Sequence, residues 1–137
     1  MFFKKKNKVE GENFIKIAAL LIHAARIDEN FSELEEKIIK QALLKLGANN
    51  QNIQSIIDEA KLIEKNANQI LDFTKEVKSM QEEKKIEIVE TMWRIIYSNK
   101  EADIYETNLM RRLAGLLYIE NKIMGDIKNK IKNENLK

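Results

Sequence analysis

The sequence predicts an all-α protein, and three observations support this fold class. The 137 residues contain no proline and only four glycines, so few positions interrupt a helix. Apolar residues recur three and four positions apart, which is the period of a helix with one buried face. Ser or Asp stands before several of these stretches with Glu three residues later, a pattern that caps helix N-termini. We therefore expect a multihelical bundle.

The first two predicted helices form a hairpin. Residues 12–26 are apolar on nearly every side, which is typical of a helix at the centre of a domain. After a polar turn at residues 27–31, Ser32 and Glu35 are spaced as a capping box that begins the second helix. Gly47 is expected to end this helix in the left-handed conformation. The apolar residues predicted to face inward are Leu34, Ile38, Ile39, Ala42, Leu43 and Leu46.

Three more helices are predicted after this hairpin. One begins near Asn50 and points Ile53, Ile56, Ile57, Ala60 and Ile63 inward. A short helix is expected at residues 68–78. The segment from Ser79 to Glu82 is interpreted as a second capping box, which begins a long helix that ends near Tyr97.

A second hairpin repeats the plan of the first. Residues 98–102 form another polar turn, and Asp103 with Glu106 has the spacing of a capping box. The helix that begins there is predicted to end at Leu117. A final basic helix is expected at residues 119–130.

The two hairpins, residues 14–46 and 85–117, correspond at an offset of 71 residues. The matched polar pairs are Ser32 with Asp103, Glu35 with Glu106, and Asp28 with Asn99. We infer two pseudo-symmetric helix–acidic turn–helix hairpins whose first helices pack together at the centre. In that arrangement the two turns lie near one another at one end of the bundle.

Charge is distributed unevenly over the predicted domains. Residues 1–11 are a basic segment expected to be mobile, residues 12–130 form one helical domain, and residues 131–137 are a polar tail. The net charge is +2. Because the lysines are concentrated at the two ends, the folded part is acidic, and we expect no nucleic-acid partner.

The composition also excludes several functions. Cysteine is absent, so disulfides, thiolate metal sites and a cysteine nucleophile are ruled out. No base and nucleophile can be paired around His23, the single histidine, so we expect no enzyme, and carboxylate-only metal chemistry is the one enzymatic route left open. No apolar run is long enough to span a membrane and the start lacks a signal-peptide pattern, which favours a cytoplasmic protein. Phe2, Phe3 and the following lysines could contact an anionic membrane, but a solvated tail is favoured.

Residues 97–106, with Arg111 and Arg112 after them and Trp93 before them, resemble the second hairpin of the TerB-like family of tellurite-resistance proteins. The first hairpin shows the same interval of seven residues between an acidic turn position and a glutamate. The resemblance covers roughly residues 12–125. It implies an all-α TerB-like bundle and a helical module that occurs in several contexts.

The resemblance also implies a metal site at the two turns, with Asp28, Glu35, Asn99 and Glu106 as candidate ligands. Oxygen ligands alone would favour Ca²⁺, Mg²⁺ or Mn²⁺. The chain departs from the family pattern, because Asn replaces the second Asp and neither turn has the expected glycine. Each candidate also has a structural explanation: helix capping for the two glutamates, a solvated turn for Asp28 and a helix C-cap for Asn99.

Our leading hypothesis is a module that binds a protein partner through its acidic turns. The residues assigned to this surface are Glu29, Glu33, Glu101, Asp103, Arg111 and Arg112. For the two arginines, a salt bridge to Glu106 or Glu101 is favoured, and contact with an anion or a partner is the alternative. Divalent-metal binding or sensing is the alternative function.

Overall fold

The computed structural model describes the backbone of residues 2–28, 31–66, 70–98 and 104–135, and the side chains of residues 14–27, 31–66, 70–98 and 105–134. These residues form seven α-helices and one 3-10 helix, with no strand among them. The elements are α1 (Phe2–Ala25), the 3-10 helix η1 (Arg26–Asp28), α2 (Glu33–Lys45), α3 (Ile53–Asn66), α4 (Leu71–Lys78), α5 (Glu82–Tyr97), α6 (Ile104–Leu116) and α7 (Asn121–Asn135). The all-α prediction is confirmed.

Helices α1 and α5 lie at the centre of the bundle. Residues 17–22 of α1 and residues 88–93 of α5 are all buried, so both helices are covered on every side over these stretches. The two helices contact each other, and α1 also packs against α2, α3 and α4. Burial of each large aliphatic side chain contributes about 1.5–3 kcal/mol, so this pair contributes substantially to stability.

Helix α1 begins at Phe2, well before the predicted start, so its backbone continues through most of the basic N-terminal segment. The division of the chain at residue 11, and the expected mobility of the segment before it, stay predictions. Among the described residues, no helix combines the length and the apolar character that a bilayer crossing requires.

The capping box predicted at the start of α2 is confirmed. The Ser32 hydroxyl accepts from the Glu35 backbone N–H at 3.1 Å, and the Ser32 backbone N–H donates to Glu35 Oε1 at 2.8 Å. The end of α2 is also as predicted, with Gly47 in the left-handed region at φ 113°. The N–H groups of Gly47 and Ala48 donate back to the carbonyls of Leu44 and Leu43, which is a Schellman motif.

Two local predictions are wrong. Ser79 does not cap α5, because the N-cap residue is Gln81 and no side chain bonds there. Ser79 instead follows α4, and its hydroxyl donates to the Glu76 carbonyl at 3.4 Å. Leu34 and Ile63, predicted to face the core, are 54% and 40% exposed. On α2 the buried face of the helix includes Glu35, so the preceding residue, Leu34, faces the solvent.

Several elements of the second half mirror those of the first. Helices α2 and α6 are each 13 residues long, and their first residues are 71 positions apart. A second Schellman motif ends α6, where the N–H groups of Tyr118 and Ile119 donate to the carbonyls of Gly115 and Ala114. The third helices also correspond, because α3 packs on α1 and α7 packs on α5. Superposition of the two hairpins stays a prediction.

Candidate functional site

The first acidic turn is anchored through the end of α1. Arg26 Nη1 donates to Glu64 Oε1 at 2.8 Å, and His23 Nδ1 lies 3.3 Å from Glu64 Oε2. Glu64 belongs to α3, so this helix fixes the point at which α1 passes into η1. His23 is therefore a partly exposed residue paired with Glu64.

Glu35 is the buried acid of the first turn, with 2% of its surface exposed. Its carboxylate accepts the Ser32 N–H, so the capping box is held inside the protein. Glu33 and Glu36 share the first turn of α2, where the helix dipole favours negative charge. Hydrogen bonding to Lys61 is the main cause that lowers the pKa of Glu36, and Lys40 adds to it.

Glu106 is the matched acid of the second hairpin and is 6% exposed. It lies in the first turn of α6, and its charge acts on Tyr97 at the end of α5. Burial is the larger cause that raises the pKa of Tyr97, and the negative charge of Glu106 is the second. The two glutamates that follow the turns are thus both buried.

Two contacts bear on how the turns are related. Lys45 Nζ, at the end of α2, lies 3.2 Å from Glu87 Oε1 near the start of α5. Since α2 packs along α5, its beginning is directed toward the end of α5, where the second turn starts. In addition, η1 contacts α6, the helix that follows the second turn.

The described residues cover the proposed metal site only in part. Glu35 and Glu106 are described, Asp28 ends η1 with its side chain outside the described atoms, and Asn99 lies outside the described residues. Within the described part of the chain, no three His, Asp or Glu side chains are grouped so as to hold an ion. The four-residue metal site stays a prediction.

The proposed partner surface is also described in part. Glu33, Arg111 and Arg112 are exposed, which a contact surface requires. Neither arginine forms an ion pair with Glu106 or with any other described residue, and the alternative partner Glu101 lies outside the described residues, so the expected salt bridge stays a prediction. Three further residues of this surface lie outside the described residues: Glu29, Glu101 and Asp103.

Sequence reasoning missed a pocket between α5, α6 and α7. Trp93 lies at its base, and Arg111 and Lys128 lie on its walls. The indole N–H of Trp93 is the one buried side-chain nitrogen or oxygen in the described part of the chain without a hydrogen bond. The sequence signal was weak, because the helical period places Trp93 in the core but does not show that α7 leaves space beside it.

Nothing in the sequence indicated a charge cluster between α5 and α7, in which one buried acid is surrounded by partly exposed residues. Glu90 is 7% exposed and accepts from Lys130 Nζ at 2.8 Å, while Arg94 lies 3.6 Å from the same carboxylate oxygen. Arg94 also reaches Glu134 near the end of α7. This cluster fixes the position of α7, which forms one wall of the pocket.

The fold and its turns define the class of protein: an all-α module with a buried glutamate after each of two interhelical turns. The sequence matches the family described as tellurite resistance protein TerB over residues 14–129. The match covers most of the chain, and the chain belongs to this family. Searches among curated proteins and solved structures found no significant match. The resemblance stated from the two hairpins is confirmed.

Proposed function

We propose that this TerB-family chain is a helical binding module, related to tellurite resistance, that acts by binding a protein rather than by catalysis. Its contact surface is the acidic end, which we define as the first turn with Glu33 and the second turn with Glu101 and Asp103. The partner presents basic residues to this end.

The relation of the two turns carries this proposal. The contact of η1 with α6 and the direction of α2 along α5 both support a shared end. Exposed charges that converge on one end of a small domain produce a local potential that attracts oppositely charged partners. The buried Glu35 cap holds the start of α2, so the exposed Glu33 beside it is presented from a rigid helix.

The matching arrangement of buried and exposed acids suggests how the surface works. Glu35 and Glu106 are buried, and Glu35 holds the start of α2 through Ser32, whereas Glu33 is exposed and available for contact. Rim charges of this kind mainly affect the rate and specificity of association. We therefore expect partner binding that weakens as salt is added.

A charge-reversal experiment tests the proposal. Glu33→Lys and Glu59→Lys are compared as baits; Glu59 is an exposed acid in the middle of α3 and is not part of the proposed contact surface. Proteins captured by the wild type should be retained by Glu59→Lys and lost by Glu33→Lys, and the purified partner should show the same order in a titration. Equal binding by both variants would contradict the proposal. Thermal unfolding of each variant verifies that both remain folded.

Divalent-cation binding is the second candidate, and the burial of Glu35 and Glu106 favours it. A buried carboxylate is costly unless hydrogen bonds or cations compensate its charge. The Ser32 N–H donates to Glu35, and an ion at the turns would compensate the charge in addition to the partners that both glutamates already have. The oxygen ligands select Ca²⁺, Mg²⁺ or Mn²⁺.

Calorimetric titration with each of these ions tests the second candidate, and Glu106→Gln is the informative variant. Glutamine also serves at the third position of a capping box, so the variant removes the charge while the cap can form. The metal hypothesis predicts heat of binding for the wild type that is lost in Glu106→Gln and kept in Glu59→Gln. A flat trace for the wild type would exclude it.

A further inference from the structure

We propose that the pocket between α5, α6 and α7 binds a small aromatic carboxylate. The pocket has a volume of about 210 Å³. Apart from Arg111, which the sequence also assigned to the partner surface, its lining residues and its charge differ from those of the acidic end, so this inference does not depend on the proposed protein partner.

The base of the pocket is apolar. Trp93, Met110 and Met124 line it and are only 2%, 1% and 6% exposed, so most of each side chain is fixed by packing. Tyr97 stacks on the indole with ring centroids 5.9 Å apart and holds its orientation. Aromatic rings pack favourably against both indoles and thioethers. Because these side chains expose only a small part of their surface, the base offers a limited apolar contact, which the edge of one aromatic ring can make.

The walls of the pocket are cationic. Arg111 and Lys128 line it, and none of the described lining residues is acidic. Lys128 Nζ lies 5.5 Å from the centroid of the Trp93 ring, directly at the apolar base. Neither cation forms an ion pair with a described residue. A guanidinium and an ammonium beside an apolar surface are complementary to a carboxylate attached to a ring.

The size of the pocket matches a ligand with one ring. An engineered protein cavity of roughly 150 Å³ accommodates benzene, so about 210 Å³ provides room for a ring and one carboxylate. Phenylacetate is therefore a suitable probe of the class.

Gly125 provides a way to close the pocket without disturbing the fold. It lies within α7 and lines the pocket, and a Cβ built there meets no atom within 4 Å. A leucine at this position would extend into the free space. Because glycine is also a poor helix former, Gly125→Leu should fold at least as stably as the wild type.

Gly115 provides the matched control. It lies on α6, a Cβ there also meets no atom within 4 Å, and it does not line the pocket. Gly115→Leu therefore makes the same chemical change on a helix surface outside the site.

The binding experiment uses Trp93, the only tryptophan of the chain, as its reporter. Phenylacetate is titrated while the tryptophan fluorescence and the single indole N–H resonance are followed. A ligand of this size should bind with a Kd on the order of 1 mM. Phenylacetamide, which lacks the charge, and acetate, which lacks the ring, should each bind at least about tenfold more weakly.

The variants decide whether binding occurs in this pocket. Gly125→Leu should abolish the phenylacetate response, Gly115→Leu should retain it, and Lys128→Gln should weaken binding about three- to tenfold. No response of the wild type would overturn the proposal, as would unchanged binding by Gly125→Leu. Equal affinity for phenylacetamide would exclude recognition of the carboxylate, and equal affinity for acetate or inorganic phosphate would exclude recognition of the ring.

Discussion

The two hairpins end in the same backbone motif, although different residues adopt it. After α2 the left-handed position is held by Gly47 at φ 113°, and after α6 it is held by Tyr118 at φ 58°. Glycine occupies this conformation without strain, whereas a residue with a Cβ does so at a cost. The shared motif indicates that the turn geometry, rather than the residue, is what both hairpins require.

The second hairpin compensates for its less suitable residue with long-range contacts. Lys78 Nζ lies 5.1 Å from the centroid of the Tyr118 ring, and Lys85 Nζ donates to the Leu117 carbonyl at 3.1 Å. At the corresponding place in the first hairpin, the Phe14 ring approaches Gly47. Phe14 and Lys85 occupy matched positions, so one hairpin uses apolar contact where the other uses a hydrogen bond.

The largest expected effect comes from the central helices. Ile17 and Ile88 occupy matched positions, and they are 1% and 0% exposed. Ile17→Ala and Ile88→Ala should each lower the free energy of unfolding by about 2–5 kcal/mol, because each leaves a cavity in a fully packed core. Urea denaturation measures both. A large effect at one site and a negligible effect at the other would show that the two helices are not equivalent.

The capping box of α2 should give the next largest effect. Glu35→Ala removes the acceptor of the Ser32 N–H and should lower the free energy of unfolding by about 1–2 kcal/mol. Glu35→Gln retains an acceptor and should cost less. If thermal or urea unfolding finds both variants equally destabilised, then the charge of Glu35, rather than its hydrogen bond, is what the turn needs.

The two left-handed positions should respond in opposite directions to substitution. Gly47→Ala should destabilise the protein by about 1–2 kcal/mol, because alanine is strained at positive φ. Tyr118→Gly should stabilise it by about 0.5 kcal/mol, since the relief of strain exceeds the lost contact with Lys78. Changes of the same sign in urea titrations would contradict the equivalence of the two motifs.

The smallest expected effect is a pH dependence at Glu36. The pKa of this carboxyl is lowered in the folded state, chiefly by its hydrogen bond to Lys61. Its contribution to stability is therefore present above the unfolded-state pKa and is lost as the pH falls through the folded-state pKa. Glu36→Gln should be less stable than the wild type at neutral pH and equal to it in strong acid, as measured by urea titration. A constant difference across the pH range would exclude this linkage.

The sequence predicted the helices well where the signal is local. The box at Ser32 and the left-handed Gly47 depend on neighbouring residues, and both were found as expected. The same pattern failed at Ser79, because a Ser followed three residues later by Glu fits the end of one helix as well as the start of the next. The prediction that Leu34 is buried was wrong because the capping residue Glu35 occupies the buried position on this helix.

Features that depend on packing between distant helices were beyond the sequence. The exposed Arg111 was considered for a salt bridge, but its place on the wall of a pocket depends on where α7 packs against α5. The Lys85 contact with the end of α6 joins residues 32 positions apart. The helical period of a sequence does not indicate contacts between residues so far apart in the chain. The acidic end was predictable in part: its residues could be named from the sequence, but whether they lie together depends on how the helices pack.

The central claim, that the two turns share one end of the bundle, can be tested by distances between spin labels. The chain has no cysteine, so Glu33→Cys can be combined with Tyr105→Cys or with Tyr118→Cys at exposed positions on either end of α6. These ends are about 20 Å apart at 1.5 Å per residue. If the two turns share one end, the distance from position 33 to position 105 is clearly shorter than the distance from position 33 to position 118. An equal or longer distance to position 105 would contradict it.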